Sequence, residues 1–153
     1  MRRKTDFASG TASSSAKPAR TFLDTNILVY ANDGAYPEKQ RKATELIVLH
    51  IRAGTGVVSL QTLGEYFHIA TRKLRMDPAT ARAQVEFYSL FQVMRPELSD
   101  VIAAIDLHRL FGYSYWDAML LRSAQQAGCQ IFLSEDMHHD QQVDGVRIVN
   151  PFL

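Results

Sequence analysis

The chain has 153 residues, of which 46% are hydrophobic, and its formal net charge is +1. This length and composition are typical of a single globular domain and exclude an intrinsically disordered chain. The near-neutral charge excludes a polycation that binds nucleic acid through its overall charge. Any binding of nucleic acid must therefore use local basic patches or metal ions.

The charges are unevenly distributed along the chain. Five of the 17 basic residues but only one of the 16 acidic residues lie in positions 1–20, so residues 21–153 carry a net charge of −3. Residues 5–19 are rich in Ser, Ala and Gly and offer little to bury. We therefore expect residues 1–19 to be a disordered leader or an added segment, and residues 20–153 to form the folded domain.

The single cysteine, Cys129, excludes an intrachain disulfide and a zinc cluster built from cysteines. Because it precedes an apolar run, we expect it to be a small core residue. No apolar stretch approaches the ~20 residues that cross a membrane, and the first residues lack the apolar segment of a secretory signal. These features predict a soluble, cytoplasmic protein with no membrane contact.

Short buried strands alternate with helices along the folded part. Pro37 is typical of a helix start, and the glycines at 54 and 56 of a helix end. In chain order we predict a strand at 21–23, helices at 27–31 and 37–53, a strand at 57–60, helices at 61–74 and 77–91, a strand at 92–94, helices at 99–111 and 115–127, and strands at 131–133 and 147–149. This α/β pattern predicts a mostly parallel sheet of four to five strands, covered on both faces.

Four acidic residues stand where such a sheet would form a site. Asp24 and Asp136 follow short apolar strands, Glu65 lies early in the helix after the second strand, and Asp117 lies in the first turn of its helix. Sites in open α/β sheets form at the carboxyl ends of the strands. Clustered carboxylates repel one another unless a cation lies among them, and hard oxygen ligands favour Mg²⁺ or Mn²⁺. The pattern predicts a metal site for phosphoryl chemistry.

Each acid also has a purely structural explanation. These explanations are capping boxes at Thr62–Glu65 and Ser114–Asp117, an N-cap at Asp24 or Asn26, and turn positions at Glu135 and Asp136. Independent caps need not fall on one side of a sheet, whereas a metal site requires that they do. The joint pattern therefore favours a site.

Other polar residues have weaker functional interpretations. The adjacent His138 and His139 are more typical of a solvated loop than of a metal site. We expect helix-dipole and surface charges at Asp100 and Asp106, and Asp140 is close enough to Asp136 in sequence to act as an outer acid. A basic cluster is either a solvated face or a phosphate contact, and it comprises Arg72, Lys73, Arg75 and Arg82.

The chain resembles PIN-domain ribonucleases, specifically the VapC-type toxins of toxin–antitoxin pairs, over about residues 20–153. The resemblance rests on FLDTNILVYA at 22–31, Glu65 within SLQTLGEYF, YSYWDAMLLRSAQQAGCQIFLSEDM at 113–137 and GVRIVNPF at 145–152. The pairing of WDA with SED and a closing NPF is its most specific part.

The resemblance implies a three-layer α/β/α sandwich and an endoribonuclease that depends on Mg²⁺ or Mn²⁺. It implies structured RNA, either tRNA or rRNA, as substrate, a cognate antitoxin as protein partner, and a homodimer. The implied site comprises the acids Asp24, Glu65, Asp117 and Asp136, of which Asp24, Asp117 and Asp136 bind metal, with Asn26 and Ser134 holding the site. The chain departs from many relatives at Asp140, where they carry Gly.

Two alternatives from other functional classes stay open on the residues alone. A phosphoacceptor signalling domain also places Mg²⁺-binding acids at strand ends, but it normally needs a lysine after a late strand, where this chain has SED and NPF. A catalytically silent module that binds RNA or protein would need no acids at all. A chelator-sensitive RNA cleavage assay separates the enzyme from such a module.

Overall fold

A computed structural model describes residues 16–153 of the chain. The predicted leader lies outside the described residues except for 16–19, which form neither helix nor strand. None of the helices in the described part is long and apolar enough to cross a membrane.

Residues 16–153 form six strands and six helices. The strands are β1 Thr21–Leu23, β2 Gly56–Ser59, β3 Gln92–Met94, β4 Ile131–Leu133, β5 Gln142–Val143 and β6 Val146–Val149. The helices are α1 Thr25–Tyr30, α2 Pro37–Ala53, α3 Leu60–Arg72, α4 Pro78–Tyr88, α5 Leu98–Phe111 and α6 Tyr115–Gln126.

The strands form one sheet in the order β3-β2-β1-β4-β6-β5. All neighbours pair in parallel except β5, which pairs antiparallel with β6. The predicted mostly parallel sheet is therefore confirmed, with β5 as an additional strand. Sequence periodicity does not detect β5 because two residues are too few to show an alternating pattern.

Helices cover both faces of the sheet, as predicted. Successive side chains of a strand point to opposite faces, so neighbouring residues of the central strands enter two separate cores. The paired residues are Phe22 and Leu23 of β1, Val57 and Val58 of β2, and Phe132 and Leu133 of β4. The first residue of each pair packs with α5 and α6, and the second packs with α1 to α4. The fold is thus a three-layer α/β/α sandwich.

Helix α3 begins at Leu60, one residue earlier than predicted. Leu60 therefore belongs to this helix and not to the strand predicted at 57–60. Ser59 is the N-cap, and its hydroxyl accepts the Thr62 N–H at 3.2 Å while the Thr62 hydroxyl accepts the Ser59 N–H at 3.2 Å. The capping box is therefore Ser59–Thr62. The alternative explanation of Glu65 as the partner of Thr62 in a capping box is wrong, because Glu65 lies one turn further into the helix.

Two other expectations meet different outcomes in the core. Cys129 is buried, as predicted, and burial raises the pKa of its thiol to about 12. Asp100 is not a surface charge: it is buried, and its carboxylate accepts hydrogen bonds from the Arg122 and Gln126 side chains, both at 3.0 Å, and from the Glu97 N–H at 2.9 Å. It thereby joins α5 to α6.

Asp140 adopts a backbone conformation that glycine prefers. Its φ is 66°, in the left-handed region. A glycine, which the resemblance implies for many relatives at this position, adopts this conformation without strain. The Asp140 carboxylate accepts a hydrogen bond from Arg147 Nε at 2.9 Å and lies outside the pocket described below, so the expectation of an outer acid beside Asp136 is wrong.

Candidate active site

A pocket of about 500 Å³ lies at the carboxyl ends of β1 and β4. After β1 the chain builds β2 and β3 on one side and later returns to place β4 on the other, so the gap between β1 and β4 is the point where the strand order reverses. Ligands of open α/β sheets bind at such points. All four predicted acids, Asp24, Glu65, Asp117 and Asp136, line this one pocket.

Asp24 directly follows β1 and is buried, with 5% of its surface exposed. Its Oδ1 accepts the Thr25 N–H at 2.7 Å, which makes it the N-cap of α1. Its Oδ2 accepts the Ser134 hydroxyl at 2.7 Å. The structural explanation of Asp24 as an N-cap is thus correct, and one carboxylate oxygen still faces the residues that follow β4.

Asn26 and Ser134 connect Asp24 with Asp136. The Asn26 amide Nδ2 donates to Asp136 Oδ2 at 3.0 Å and lies 3.5 Å from Asp24 Oδ2. The Ser134 hydroxyl, which donates to Asp24, also accepts the Asp136 N–H at 3.1 Å. Both residues expected to hold the site thus contact two of its acids.

Glu65 is held by two neighbours from different elements. Its Oε2 accepts the Thr25 hydroxyl at 2.7 Å, and its Oε1 accepts the Gln61 amide at 2.8 Å. The same Gln61 nitrogen donates to the Trp116 carbonyl at 3.1 Å. Glu65 is therefore linked to α1 and to the first turn of α6.

Asp117 lies in that first turn of α6. Its N–H donates to the hydroxyl of Ser114, the N-cap of the helix, at 3.1 Å. Ser114 therefore caps α6 as the structural alternative expected, while the half-buried Asp117 side chain lines the pocket.

The electrostatics of the pocket disfavour several ionised acids at once. Burial raises the pKa of Asp24 to about 7; the hydrogen bonds from Ser134 and Thr25 oppose the shift, and the charges of Asp117 and Asp136 add to it. Burial also raises the pKa of Asp117, opposed by Ser114 and reinforced by the charges of Asp136 and Glu65. The four acids therefore influence one another, and a cation would relieve their repulsion.

The arrangement fits a divalent ion that keeps part of its water shell. Within residues 16–153, no three His, Cys, Asp or Glu side chains already converge as a set of metal ligands. Mg²⁺ does not require such a set, because it retains several waters and binds through one or two carboxylates. Asp24 and Asp136, which share one amide of Asn26, offer two oxygens of the kind that this ion prefers.

Comparison with known proteins identifies the family. The family model described as PIN domain matches residues 21–143. The chain belongs to the PIN domain family. A search of curated proteins found no significant match.

Solved structures share the fold of this PIN domain. A toxin–antitoxin complex from Klebsiella pneumoniae is 21% identical, with 86% of this chain and 97% of the other covered and a TM-score of 0.63. DNA-bound VapBC from Salmonella typhimurium is 20% identical with the same coverage and TM-score. VapC20 of Mycobacterium tuberculosis, a toxin that cleaves the sarcin–ricin loop, is 20% identical, with 73% of this chain and 86% of the other covered and a TM-score of 0.58.

Several residues of the PIN-domain pocket escaped the sequence analysis. Thr25 lines the pocket and contacts Glu65 from α1, which no spacing rule predicts. Gln61, which does not line the pocket, contacts Glu65 as an i, i+4 pair within α3. Asp33, which lies between the helices predicted at 27–31 and 37–53, lines the pocket and accepts the Ala35 N–H at 3.0 Å. His68 also lines it, and its spacing of three from Glu65 along α3 is the signal that the sequence offers. Arg72 and Lys73 of the basic cluster, for which a phosphate contact is one of two interpretations, line the pocket as well.

A cluster at the edge of the pocket fixes the turn that carries Asp136. Lys39 of α2 pairs with Glu135, the Tyr30 hydroxyl donates to Glu135 at 2.5 Å, and the Lys39 ammonium lies 4.7 Å from the Tyr30 ring centroid. Burial pushes the pKa of Glu135 upward, but the hydrogen bonds of Lys39 and Tyr30 and the lysine charge outweigh it and hold the pKa below its usual value. The turn after β4 is thus tied to α1 and α2.

The remaining sequence candidates lie elsewhere. His138 and His139 are exposed and do not line the pocket; His139 Nδ1 accepts the Asn150 N–H at 3.0 Å. The expectation of a solvated loop therefore describes them well.

Proposed function

We propose that this PIN domain is a metal-dependent endoribonuclease and the toxin of a toxin–antitoxin pair. The observation that carries the proposal is the meeting of Asp24, Glu65, Asp117 and Asp136 in one pocket at the point where the strand order reverses. Carboxylates that repel one another at a ligand-binding edge can bind cations, and the bound cations can in turn bind the phosphates of a polyanion.

Mg²⁺ or Mn²⁺ is the proposed cofactor, with Asp24, Asp117 and Asp136 as the residues that would hold it. A bound ion of this kind would stabilise charge on phosphate oxygens and lower the pKa of a water molecule. The raised pKa of Asp24 and the all-oxygen donor set support this choice.

The remaining residues have positioning roles in the proposed reaction. Ser134 and Asn26 fix the carboxylates of Asp24 and Asp136, and Glu65, held by Thr25 and Gln61, orients the attacking water. The water oxygen forms a bond to phosphorus in line with the breaking bond to the 3′ oxygen, which takes up a proton. The products are a 5′-phosphate and a 3′-hydroxyl, and the 2′-hydroxyl takes no part.

The fold neighbours support the choice of substrate and partner. Their names describe a toxin that cleaves the sarcin–ricin loop and two toxin–antitoxin complexes. We propose by analogy a structured RNA, either tRNA or rRNA, as substrate and an antitoxin protein as inhibitor, both in the cytoplasm. Helix α5 exposes Leu98, Ile102 and Ile105, and an apolar surface of this kind supports a homodimer or antitoxin contact.

The test is cleavage of purified tRNA and rRNA with and without a chelator. We expect cleavage by the wild type in Mg²⁺ or Mn²⁺, none in EDTA, and none by Asp24→Asn. The matched control is Asp106→Asn, which neutralises an exposed acid of α5 outside the pocket and leaves cleavage unchanged. Cleavage that survives EDTA, or fragments that end in a 2′,3′-cyclic phosphate, would overturn the proposal.

A further inference from the structure

One face of α3 carries both an acid of the proposed site and a row of nitrogen-bearing side chains. His68, Arg72 and Lys73 follow Glu65 by three, seven and eight residues, which are the spacings of a single helix face. All of them line the same pocket as the four acids. We call the two positively charged residues of this row, Arg72 and Lys73, the α3 cation stripe.

The structure divides the basic cluster that the sequence left undecided. Arg72 and Lys73 belong to the pocket, whereas Arg75 follows the helix in a left-handed turn with φ of 54° and does not line it. Arg82 of α4 pairs with Glu86 at 2.8 Å and borders a different, apolar groove with Leu63 and Phe67. Only part of the cluster is therefore directed at the acids.

The charges of the stripe are available to a ligand. Among the described residues, neither Arg72 nor Lys73 forms an ion pair, whereas several other basic side chains do. The pocket lining has two further acids, Asp33 and Glu135. Asp33 Oδ1 already accepts the Ala35 N–H, and Glu135 pairs with Lys39. The two cations thus have no partner of their own within residues 16–153.

Arg72 and Lys73 lie at the C-terminal end of α3, where positive charges interact favourably with the helix dipole, and this alone would explain why two basic residues occur there. That explanation does not account for their place in a pocket with four acids. An RNA strand that enters this pocket brings its phosphates toward carboxylates, and it needs cations on the protein to offset the repulsion. The observations therefore favour a phosphate ligand.

We propose that the α3 cation stripe binds the RNA phosphates on one side of the scissile bond and so sets the direction in which the strand crosses the pocket. Along α3 the distance from the acid Glu65 to Arg72, where the stripe begins, is about 10 Å at about 1.5 Å per residue. That length spans on the order of three stacked nucleotides of one strand. The guanidinium of Arg72 offers paired donors to phosphate oxygens, and Lys73 adds a mobile ammonium.

The inference rests on the proposed function, and its test measures binding separately from cleavage. The probe is a fluorescently labelled RNA oligonucleotide of mixed sequence, titrated in EDTA with the full chain carrying Asp24→Asn. Arg72→Gln with Lys73→Gln should raise the Kd on the order of tenfold at moderate salt and reduce the slope of log K against log salt by about 1.4, the value for two lost contacts to a single strand. Lys42→Gln with Arg52→Gln, which removes the same charge from α2, is the matched control and should change neither.

Cleavage kinetics give the second readout. With the active chain and metal, Arg72→Gln with Lys73→Gln should raise KM with little change in kcat, because the stripe lies away from the reacting phosphate. An unchanged Kd and salt slope would overturn the inference even if the enzyme cleaves RNA. An equal loss of RNA affinity in the α2 control, Lys42→Gln with Arg52→Gln, would also overturn it. A stripe variant that keeps its RNA affinity but loses affinity for an antitoxin would assign the surface to protein instead, and absence of cleavage by the wild type would refute the proposed function alone.

Discussion

The Ser134 hydroxyl donates to Oδ2 of Asp24 at 2.7 Å, so the residue after β4 fixes the carboxylate that follows β1. The two residues are 110 positions apart in sequence and meet because β1 and β4 are neighbours in the sheet. The same hydroxyl accepts the Asp136 N–H. One buried serine therefore aligns two of the proposed site acids.

Ser134→Ala should slow RNA cleavage while the chain stays folded. The substitution removes a donor to Asp24 and an acceptor for Asp136, so we expect a loss of about 1–2 kcal/mol in the free energy of unfolding and a further rise in the pKa of Asp24. Denaturant titration and the pH dependence of cleavage measure the two effects. Ser123→Ala, in an equally buried serine of α6 outside the pocket, is the control. Equal cleavage by both variants would contradict the role given to Ser134.

Asp24 makes the metal-free protein less stable as the pH rises. Its pKa is about 7 in the folded chain and 3.8 as the ordinary value, so the folded state holds a proton that the unfolded state releases between these limits. The free energy of unfolding should fall across that window, by roughly 4 kcal/mol at most, at 1.36 kcal/mol per unit. Asp24→Asn removes this dependence of stability on pH.

The measurement is urea denaturation in EDTA at pH 5 and pH 8. As the pH increases, the free energy of unfolding of Asp24→Asn should rise relative to that of the wild type. Added Mg²⁺ should raise the free energy of unfolding of the wild type more than that of the variant. Asp106→Asn should track the wild type at both pH values. A constant difference between Asp24→Asn and the wild type would show that folding does not raise the pKa of Asp24.

Lys39→Met should slow RNA cleavage, because Lys39 fixes the turn after β4. Lys39 pairs with Glu135, which stands between Ser134 and Asp136, and its ammonium also lies 5.6 Å from the centroids of the Tyr36 and Phe152 rings. Without the charge we expect a lower kcat with little change in RNA affinity, because the turn positions Asp136. Lys39→Arg should restore most of the activity. Lys42→Met, on the exposed side of the same helix, is the control, and an equal effect there would refute the interpretation.

Asp100→Asn should destabilise the fold without affecting cleavage. Its carboxylate joins α5 to α6 through Arg122 and Gln126, and the variant leaves Arg122 without its ion pair, which should cost about 1–3 kcal/mol. The hydrogen bond from the Glu97 N–H and those from Gln126 and Arg122 hold the pKa of Asp100 below its usual value despite its burial. The contribution is therefore present above about pH 4 and is lost as the pH falls through the folded-state pKa. Denaturation at pH 7 and pH 3 should show the variant's deficit shrinking in acid.

Short apolar strands and the acids that follow them made most of the fold and the location of the pocket predictable. Strand ends in a parallel sheet share one edge, so the positions of Asp24 and Asp136 follow from the order of elements alone. Helix starts were harder, because Ser59 and Leu60 suit a strand as well as a cap and a first helical turn. The two-residue β5 has no periodicity to detect.

The resemblance implies that Asn26 and Ser134 hold the site, but the sequence does not show which acids they contact, nor that Thr25 contacts Glu65. Thr25 contacts Glu65 across 40 positions, and Asn26 contacts Asp136 across 110. Such contacts depend on how α1 packs against α3 and on the pairing of β1 with β4. In the same way, only the packing of α3 against α4 separates Arg72 and Lys73, which face the pocket, from the ion-paired Arg82.

The pairing of β1 with β4 has a consequence for the time at which activity can arise during synthesis. Asp24 leaves the ribosome early, but Ser134 and Asp136 emerge only after more than a hundred further residues, and β4 cannot join β1 before then. A nascent chain that stops short of β4 lacks Ser134, which donates to Asp24, and Asp136, one of the four proposed site acids. The proposed site therefore cannot assemble on the chain until β4 has been synthesised and has paired with β1.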